Sequence, residues 1–169
     1  KFLRKNNSFD ESKIINSIES MIEDGADFID IGAQSTKPGF TKISPSEELD
    51  RLGLVFDKLN DYPVLFSIDT FNYEVIKEAI NKKIDLINNI FSFSDQESFK
   101  LVCRNDIPIC VCHQGNPDNK EDIFSQINLF FYDVEEKFEK EKFNTDKIIF
   151  DPGFGYGKTP FQNLKILSN

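Results

Sequence analysis

Five short apolar segments recur along the chain, and a segment with helical periodicity follows each of them. The apolar segments are DFIDIG (Asp27 to Gly32), VLFSID (Val64 to Asp69), DLINNI (Asp85 to Ile90), PICVCH (Pro108 to His113) and KIIFDPG (Lys147 to Gly153). Strands that alternate with helices indicate a parallel sheet with helices packed outside it. The alternation therefore predicts an α/β protein.

Cap signals mark where the predicted helices begin and end. The first helix is predicted from Ser8 to about Asp24, with Gly25 as its C-terminal cap. Further helices are predicted to begin at capping-box pairs, which are Ser44 with Glu47, Ser94 with Glu97, and Thr159 with Gln162. Others are predicted from helical periodicity, at Asn72 to Lys82 and at about Lys120 to Phe143.

The predicted strands end on polar side chains, which favours a closed barrel over an open sheet. The strand-end residues are Asp30, Asp69, Asn88 with Asn89, His113 and Asp151. Barrel active sites draw groups from the carboxyl ends of several strands, whereas an open dinucleotide-binding sheet uses a G-x-G-x-x-G turn, which this sequence lacks. We therefore predict a (β/α)8 barrel of the TIM type, with about five of its strand-helix units in this chain.

Length and charge narrow the class of protein. The 169 residues suit one domain, residues 1–169, and the start at Lys1 with only five strands predicts that this domain extends beyond both ends of the sequence. A net charge of −9 argues against nucleic acid and membrane surfaces as partners. No apolar run approaches the ~20 residues that span a bilayer. Cysteines without disulfide spacing favour a cytoplasmic location.

Asp69, Asn88 and Asp151 form the most informative set of polar residues. Each lies where a predicted strand ends, so the three side chains are expected to converge at one mouth of the barrel. Two carboxylates and an amide supply donors and acceptors for a flat, nitrogen-rich heterocycle. The same residue types also serve as helix N-caps or as braces of strand-helix turns, and the residues alone leave both interpretations open.

The stretch DPGFGYGKT, from Asp151 to Thr159, is not a Walker A phosphate loop. Pro152 stands where that motif needs its first glycine, and proline has no backbone N–H to offer a phosphate. We interpret the glycines as residues that relieve the steric demands of the turn. Lys158 is interpreted as a loop or helix-start contact rather than as a catalytic lysine.

Four segments resemble signatures of the dihydropteroate synthases, the pterin-binding barrel enzymes of the folate pathway. They are GADFIDIGAQSTKPG, FSIDT with INNI, HQGNP, and DPGFGYGKT with QNLKIL, in this order over almost the whole chain. The resemblance implies a transferase that condenses 6-hydroxymethyl-7,8-dihydropterin pyrophosphate with p-aminobenzoate, giving 7,8-dihydropteroate and pyrophosphate. It also implies a central fragment without the first strand and the C-terminal strands, which we expect to be inactive in isolation.

The resemblance assigns roles to individual residues and implies a cofactor. Positions that match pterin-binding residues are Asp69, Asn88, Asp151 and Tyr156, and those that match the p-aminobenzoate loop, where sulfonamide sensitivity is decided, are Thr36, Lys37 and Pro38. The family uses Mg²⁺, and the family's metal-contacting Asn would precede Lys1, so no metal ligand is expected in this chain. The implied partners are small-molecule substrates and a second copy in a homodimer.

The chain departs from the family pattern at a few positions. Gln34 stands where the family has Glu, Lys37 where it has Arg, Asn89 where it has Asp, and Cys112 aligns with the family histidine. Two alternatives therefore stay open. One is a non-catalytic pterin-binding paralogue, and the other is a barrel of the same fold that transfers the methyl group of methyltetrahydrofolate.

Overall fold

The computed structural model describes residues 4–5, 8–9, 11–35, 41–116 and 121–168. The chain forms two compact units. The first contains the residues up to Ser35 together with Thr41–Asn88, and the second contains the residues from Asn89 onward. No helix in the described ranges is long and apolar enough to cross a bilayer.

The first unit contains a parallel sheet in the order β3-β4-β5 with helices between its strands. Its elements are β1 (Arg4–Lys5), β2 (Ser8–Phe9), α1 (Glu11–Glu23), β3 (Phe28–Ile31), α2 (Pro45–Phe56), a 3₁₀ helix (Leu59–Asp61), β4 (Leu65–Asp69), α3 (Tyr73–Asn81) and β5 (Leu86–Asn89). In the sheet, Ile68 is the register partner of Ile87, and Asp69 is the partner of Asn88. The register thus places two of the predicted site residues side by side.

The second unit continues the alternation of strands and helices. Its elements are α4 (Gln96–Asn105), β6 (Ile109–Cys112), α5 (Ile123–Lys140), a 3₁₀ helix (Thr145–Lys147), β7 (Ile148–Asp151) and α6 (Pro160–Leu167). Strands β6 and β7 pair in parallel, with Cys112 as the register partner of Asp151. Every strand from β3 to β7 is followed by a helix, so the predicted number of five strand-helix units is confirmed.

Consecutive buried residues along the central strands and apolar stripes on the helices form the core of each unit. In the first unit the fully buried residues include Phe66, Ile68, Ile87, Val75 and Ile76. In the second unit an aromatic cluster packs under α5, where the Phe138 ring lies 4.8 Å from that of Phe99 and 6.0 Å from that of Phe93. Such edge-to-face contacts add to the burial energy of large rings.

Most of the predicted helix caps are present. The Ser44 side chain accepts from the Glu47 N–H at the start of α2. Thr159 and Gln162 form a reciprocal capping box at the start of α6. Gly25, at φ +88°, ends α1 with the hydrogen bonds of a Schellman motif. Each of these caps pairs backbone groups that a helix end would otherwise leave unsatisfied.

Two predicted helix starts are wrong, and each has a local reason. Helix α1 begins at Glu11, because Ser8 lies in β2 and pairs with Lys5 in a short antiparallel ladder that the sequence pattern did not predict. Helix α4 is capped by Asp95 instead of Ser94, since the Asp95 carboxylate accepts from the Ser98 N–H at 2.7 Å. Where two capping residues are adjacent, the carboxylate makes the stronger, charge-assisted bond.

The glycines after β7 allow a backbone approach that a side chain would block. Gly153 has φ +71°, and a Cβ added there would lie 2.1 Å from the His113 carbonyl oxygen. Gly155 has φ +81°, but an added Cβ there would meet nothing within 4 Å. The two residues therefore share the same conformational demand and differ in the space around them.

This pair predicts different costs for the same substitution. Gly155→Ala should destabilise the protein by about 1–2 kcal/mol, the cost of a left-handed L-residue. Gly153→Ala should lose a further ~1–3 kcal/mol, because the added methyl collides with backbone that cannot rotate away. The measurement is the urea unfolding midpoint of each variant of the full-length protein, and equal losses would contradict the close approach.

Candidate functional site

An acidic cluster, defined by Asp30, Asp69 and Asn88, lies at the carboxyl ends of β3, β4 and β5 in the first unit. The Ser67 hydroxyl donates to one oxygen of Asp30 at 2.5 Å, and the Asn88 side-chain amide donates to the other at 3.3 Å. Asp30 therefore fixes the orientation of the Asn88 amide. The Thr70 N–H donates to the Asn88 carbonyl at 3.1 Å, which holds the ends of β4 and β5 together.

Asp69 is the chemically unusual member of the acidic cluster. Its Oδ1 is buried and has no hydrogen-bond partner among the described residues. Burial, with the neighbouring charges of Asp30 and Glu48, raises the pKa of the Asp69 carboxyl to about 7. A half-buried carboxyl with an unpaired oxygen and a pKa near neutrality is typical of a binding or catalytic group.

Asp30 and Asp69 line a cavity of about 510 Å³ within the first unit. Its walls come from α1, from α2 and from the end of β3, and the apolar part of the lining includes Ile14, Ile18, Leu52 and Val55. Small-molecule sites typically combine such a cavity, of a few hundred Å³, with a small number of polar groups. The carboxylates supply those groups here.

Glu48 is a buried carboxyl next to the acidic cluster, and it is not among the residues predicted from the sequence. It is 0% exposed. Its Oε2 accepts from the Gln34 amide at 2.7 Å and also from the Asn72 amide. Burial raises the pKa of Glu48, although hydrogen bonds from Thr70, Asn72 and Gln34 act in the opposite direction. The signal in the sequence was its spacing of four and seven residues from the buried Leu52 and Val55.

Asp151 and Tyr156 belong to the second unit, in the glycine-rich turn after β7. One oxygen of Asp151 accepts from the Gly153 N–H at 2.8 Å, so the carboxylate braces its own turn. The backbone of Tyr156 is held at both ends. Its N–H donates to Gly153 at 3.2 Å and its carbonyl accepts from Gly115 at 2.9 Å.

Lys158 and His113 are two buried titratable residues at this turn. The Lys158 ammonium donates to the carbonyls of His113, Gly153 and Tyr156. Its interpretation as a loop contact is therefore confirmed. Burial, together with the charge of Lys158, lowers the pKa of His113 to about 4, so this imidazole is neutral at physiological pH.

The predicted site residues fall into three groups in the structure. Asp69 and Asn88 lie side by side in the first unit, and Asp151 and Tyr156 lie in one turn of the second. Their convergence on one ligand stays a prediction. Thr36, Lys37 and Pro38, assigned to the p-aminobenzoate loop, lie outside the described residues.

Comparison with known proteins identifies the family. The sequence model of the pterin binding enzymes matches residues 1–169, so the chain belongs to that family. Dihydropteroate synthase of Escherichia coli (strain K12) is 33% identical over 156 residues, which cover 88% of this chain and 55% of that protein. Dihydropteroate synthase of Clostridium beijerinckii is 33% identical over 163 residues and is covered to 58%. The chain thus spans a little more than half the length of these curated relatives.

Solved structures agree with the sequence comparison. Yersinia pestis dihydropteroate synthase, solved with a sulfonamide drug complex, has a TM-score of 0.90 and 28% identity, covering 99% of this chain and 64% of that one. Xanthomonas albilineans dihydropteroate synthase with 4-aminobenzoic acid has a TM-score of 0.89 and 25% identity. This likeness confirms the predicted fold class, a (β/α)8 barrel of which the chain carries five strand-helix units.

The buried Glu48 predicts a large loss of stability on truncation. Glu48→Ala should destabilise the full-length protein by about 2–4 kcal/mol, because it leaves the buried amide of Gln34 and the half-buried amide of Asn72 without their acceptor and opens a cavity. The matched control is Glu47→Ala, which removes an exposed carboxylate from the same helix turn and should cost less than about 1 kcal/mol. Urea unfolding of both variants checks this, and similar losses would contradict the buried role of Glu48.

The raised pKa of Asp69 predicts a pH-dependent penalty on stability. The folded protein keeps a proton that the unfolded chain releases, so Asp69 lowers the stability progressively as the pH rises from its ordinary value of 3.8 to about 7. Asp69→Asn cannot ionise, so its stability relative to the parent should be greater at about pH 8 than at about pH 5.

The measurement compares urea midpoints of parent and variant at both pH values. Asp27→Asn, at the amino end of β3, is the control and should show no such change between the two conditions. A difference between Asp69→Asn and the parent that stays constant with pH, or changes in the opposite direction, would show that folding does not raise the pKa of Asp69.

Proposed function

We propose that the chain is part of a dihydropteroate synthase. The proposed reaction joins 6-hydroxymethyl-7,8-dihydropterin pyrophosphate to p-aminobenzoate and yields 7,8-dihydropteroate and pyrophosphate. The observation that carries the proposal is the unpaired, buried oxygen of Asp69 beside Asn88, at strand ends, in a chain that is 33% identical to the Escherichia coli enzyme. The ligands in the solved relatives, a sulfonamide and 4-aminobenzoic acid, point to the same chemistry.

Asp69 and Asn88 are proposed to bind the edge of the pterin ring. A pterin presents ring and exocyclic N–H donors beside acceptor nitrogens and oxygens, so it needs partners of both kinds. The Asp69 carboxylate accepts from N–H groups, and the Asn88 amide, oriented by Asp30, offers the complementary polarity. Charge-assisted bonds of this kind are roughly twice as strong as neutral ones in a partly buried site.

Asp151 and Tyr156 are proposed to complete the pterin site, and Thr36, Lys37 and Pro38 to shape the p-aminobenzoate site. For Asp151 the support is its place in the turn. One of its oxygens is used by Gly153, and a carboxylate has acceptor capacity to spare. The assignment of the other residues rests on their match to the family segments.

The reaction requires little proton transfer from the protein. The bond between the methylene carbon on the pterin ring and the pyrophosphate oxygen breaks, and its electron pair leaves with pyrophosphate. The lone pair of the p-aminobenzoate nitrogen forms the new bond to that carbon, and the nitrogen then loses a proton to solvent. Carboxylates near the ring stabilise the positive charge that develops at this carbon.

Mg²⁺ is proposed to enter with the pyrophosphate of the substrate. Within the part of the chain that the structure describes, no group of three or more His, Cys, Asp or Glu side chains is placed to hold a metal. Mg²⁺ commonly binds through substrate phosphates and water with few protein ligands. A homodimer and a cytoplasmic location also stay predictions.

The test is p-aminobenzoate-dependent release of pyrophosphate by the full-length protein. Asp69→Asn and Asp151→Asn should each lower kcat/KM for the pterin substrate by about 10²-fold, because each removes a charge-assisted contact to the ring. Asp27→Asn, an exposed aspartate at the opposite end of β3, should retain the parent activity.

The outcomes also separate the alternatives. A folded parent that binds pterin but releases no pyrophosphate would overturn the synthase and favour the non-catalytic paralogue. Transfer of a methyl group from methyltetrahydrofolate to a cobalamin protein would establish the other alternative. Full activity in both aspartate variants would remove these residues from the pterin site.

A further inference from the structure

The Lys158 ammonium lies among three backbone carbonyls in the second unit. It donates to the His113 oxygen at 2.8 Å, to the Gly153 oxygen at 2.8 Å and to the Tyr156 oxygen at 3.2 Å. Lys158 is only 9% exposed, although lysine is rarely buried. We call these three oxygens the carbonyl cage. The cage matches the three N–H donors of one ammonium group.

The carbonyl cage joins two segments whose backbones lie close together. His113 follows β6, and the other two oxygens belong to the turn after β7. No side chain could fit at position 157, since a Cβ added to Gly157 would lie 2.0 Å from the Gly115 oxygen. Carbonyl oxygens that point toward one another repel unless a cation lies between them, and carbonyl groups can replace the hydration shell of a cation.

The carbonyl cage is also coupled to both residues proposed to bind pterin in this turn. The Gly153 carbonyl accepts a hydrogen bond from Lys158, and the Gly153 N–H donates to the Asp151 carboxylate. Tyr156 contributes a cage oxygen from its own backbone. Loss of the cation therefore loosens the support of Asp151 and of Tyr156 together.

We propose that Lys158 is a positioning residue whose ammonium acts as a built-in monovalent cation, holding the turn after β7 in the form that presents Asp151 and Tyr156 to the pterin. The identity of the ligand rests on the proposed function, whereas the carbonyl cage does not. Removal of the side chain beyond Cβ should leave a cage that accepts a small alkylammonium ion from solution. A side chain of similar length without charge should fill the space and leave the three oxygens without the ammonium, although the Gly153 and Tyr156 oxygens keep one backbone N–H donor each.

The experiment uses Lys158→Ala and Lys158→Met in the full-length protein. Both should weaken pterin binding about tenfold or more, raising KM for the pterin substrate and leaving KM for p-aminobenzoate near the parent value. Methylammonium should raise the melting temperature of Lys158→Ala and restore its pterin affinity. It should do neither for Lys158→Met. Tetramethylammonium, which carries the charge but no N–H donor, should not restore either variant.

Lys137→Ala is the matched control. Lys137 is half-buried and also donates to a backbone carbonyl, that of Phe93 at 2.8 Å, but this is a single carbonyl, and the rings of Phe99 and Phe138 lie beside the ammonium. This variant should lose stability without recovery in methylammonium and without a change in pterin KM.

The possible outcomes separate the positioning role from the proposed function. If methylammonium stabilises Lys158→Ala but the parent protein binds no pterin, the carbonyl cage is supported and pterin is excluded as the ligand. If Lys158→Ala folds only when methylammonium is present, the cage is likewise supported. Parent-like pterin affinity in Lys158→Met, or equal effects of methylammonium and tetramethylammonium on Lys158→Ala, overturns the proposal.

Discussion

The parallel register of β3, β4 and β5 is the constraint on which the site in the first unit depends. Parallel strands bring their carboxyl ends to one edge, so Asp30 and Asp69 are held close to each other and to Glu48. Like charges at short range in a partly dry environment favour protonation of one of them. Asp30 accepts hydrogen bonds from Ser67 and Asn88, whereas the Oδ1 of Asp69 has no donor among the described residues. Burial, together with the charges of Asp30 and Glu48, therefore raises the pKa of Asp69.

Much of the fold could be predicted from the sequence, because strands and helices leave periodic patterns in the placement of apolar residues. All five strands from β3 to β7 lie within their predicted segments. The two wrong helix starts have different causes. At the start of α4, Ser94 and Asp95 both can cap, and the choice depends on the stronger acceptor. The β1–β2 ladder is only two residues long on each side, too short for any alternation to be visible.

The residue types of the site could be predicted from the sequence, but the buried Glu48 and the backbone contacts of Lys158 could not. Asp69 and Asn88 were found because both end buried strands. Glu48 was not predicted, because a pair of glutamates at a helix start resembles an ordinary cap. The carbonyl cage around Lys158 was not predicted, because the sequence does not show where backbone oxygens lie. The structure also gives a reason for Gln34. The Gln34 amide donates to the Glu48 carboxylate, whereas a carboxylate at position 34 would be repelled by Glu48.

The Asp69 carboxyl, with its unpaired oxygen, holds a proton in the folded protein at pH values below about 7. Folding takes up that proton at pH values between 3.8 and about 7, since the buried carboxyl holds it more tightly than water-exposed aspartate does. A ligand that donates an N–H to this oxygen favours the ionised carboxylate and so expels the proton. Burial of the Asp69 carboxyl costs free energy of folding, and the binding of such a ligand recovers that free energy as affinity. Ligand binding and proton release are therefore coupled.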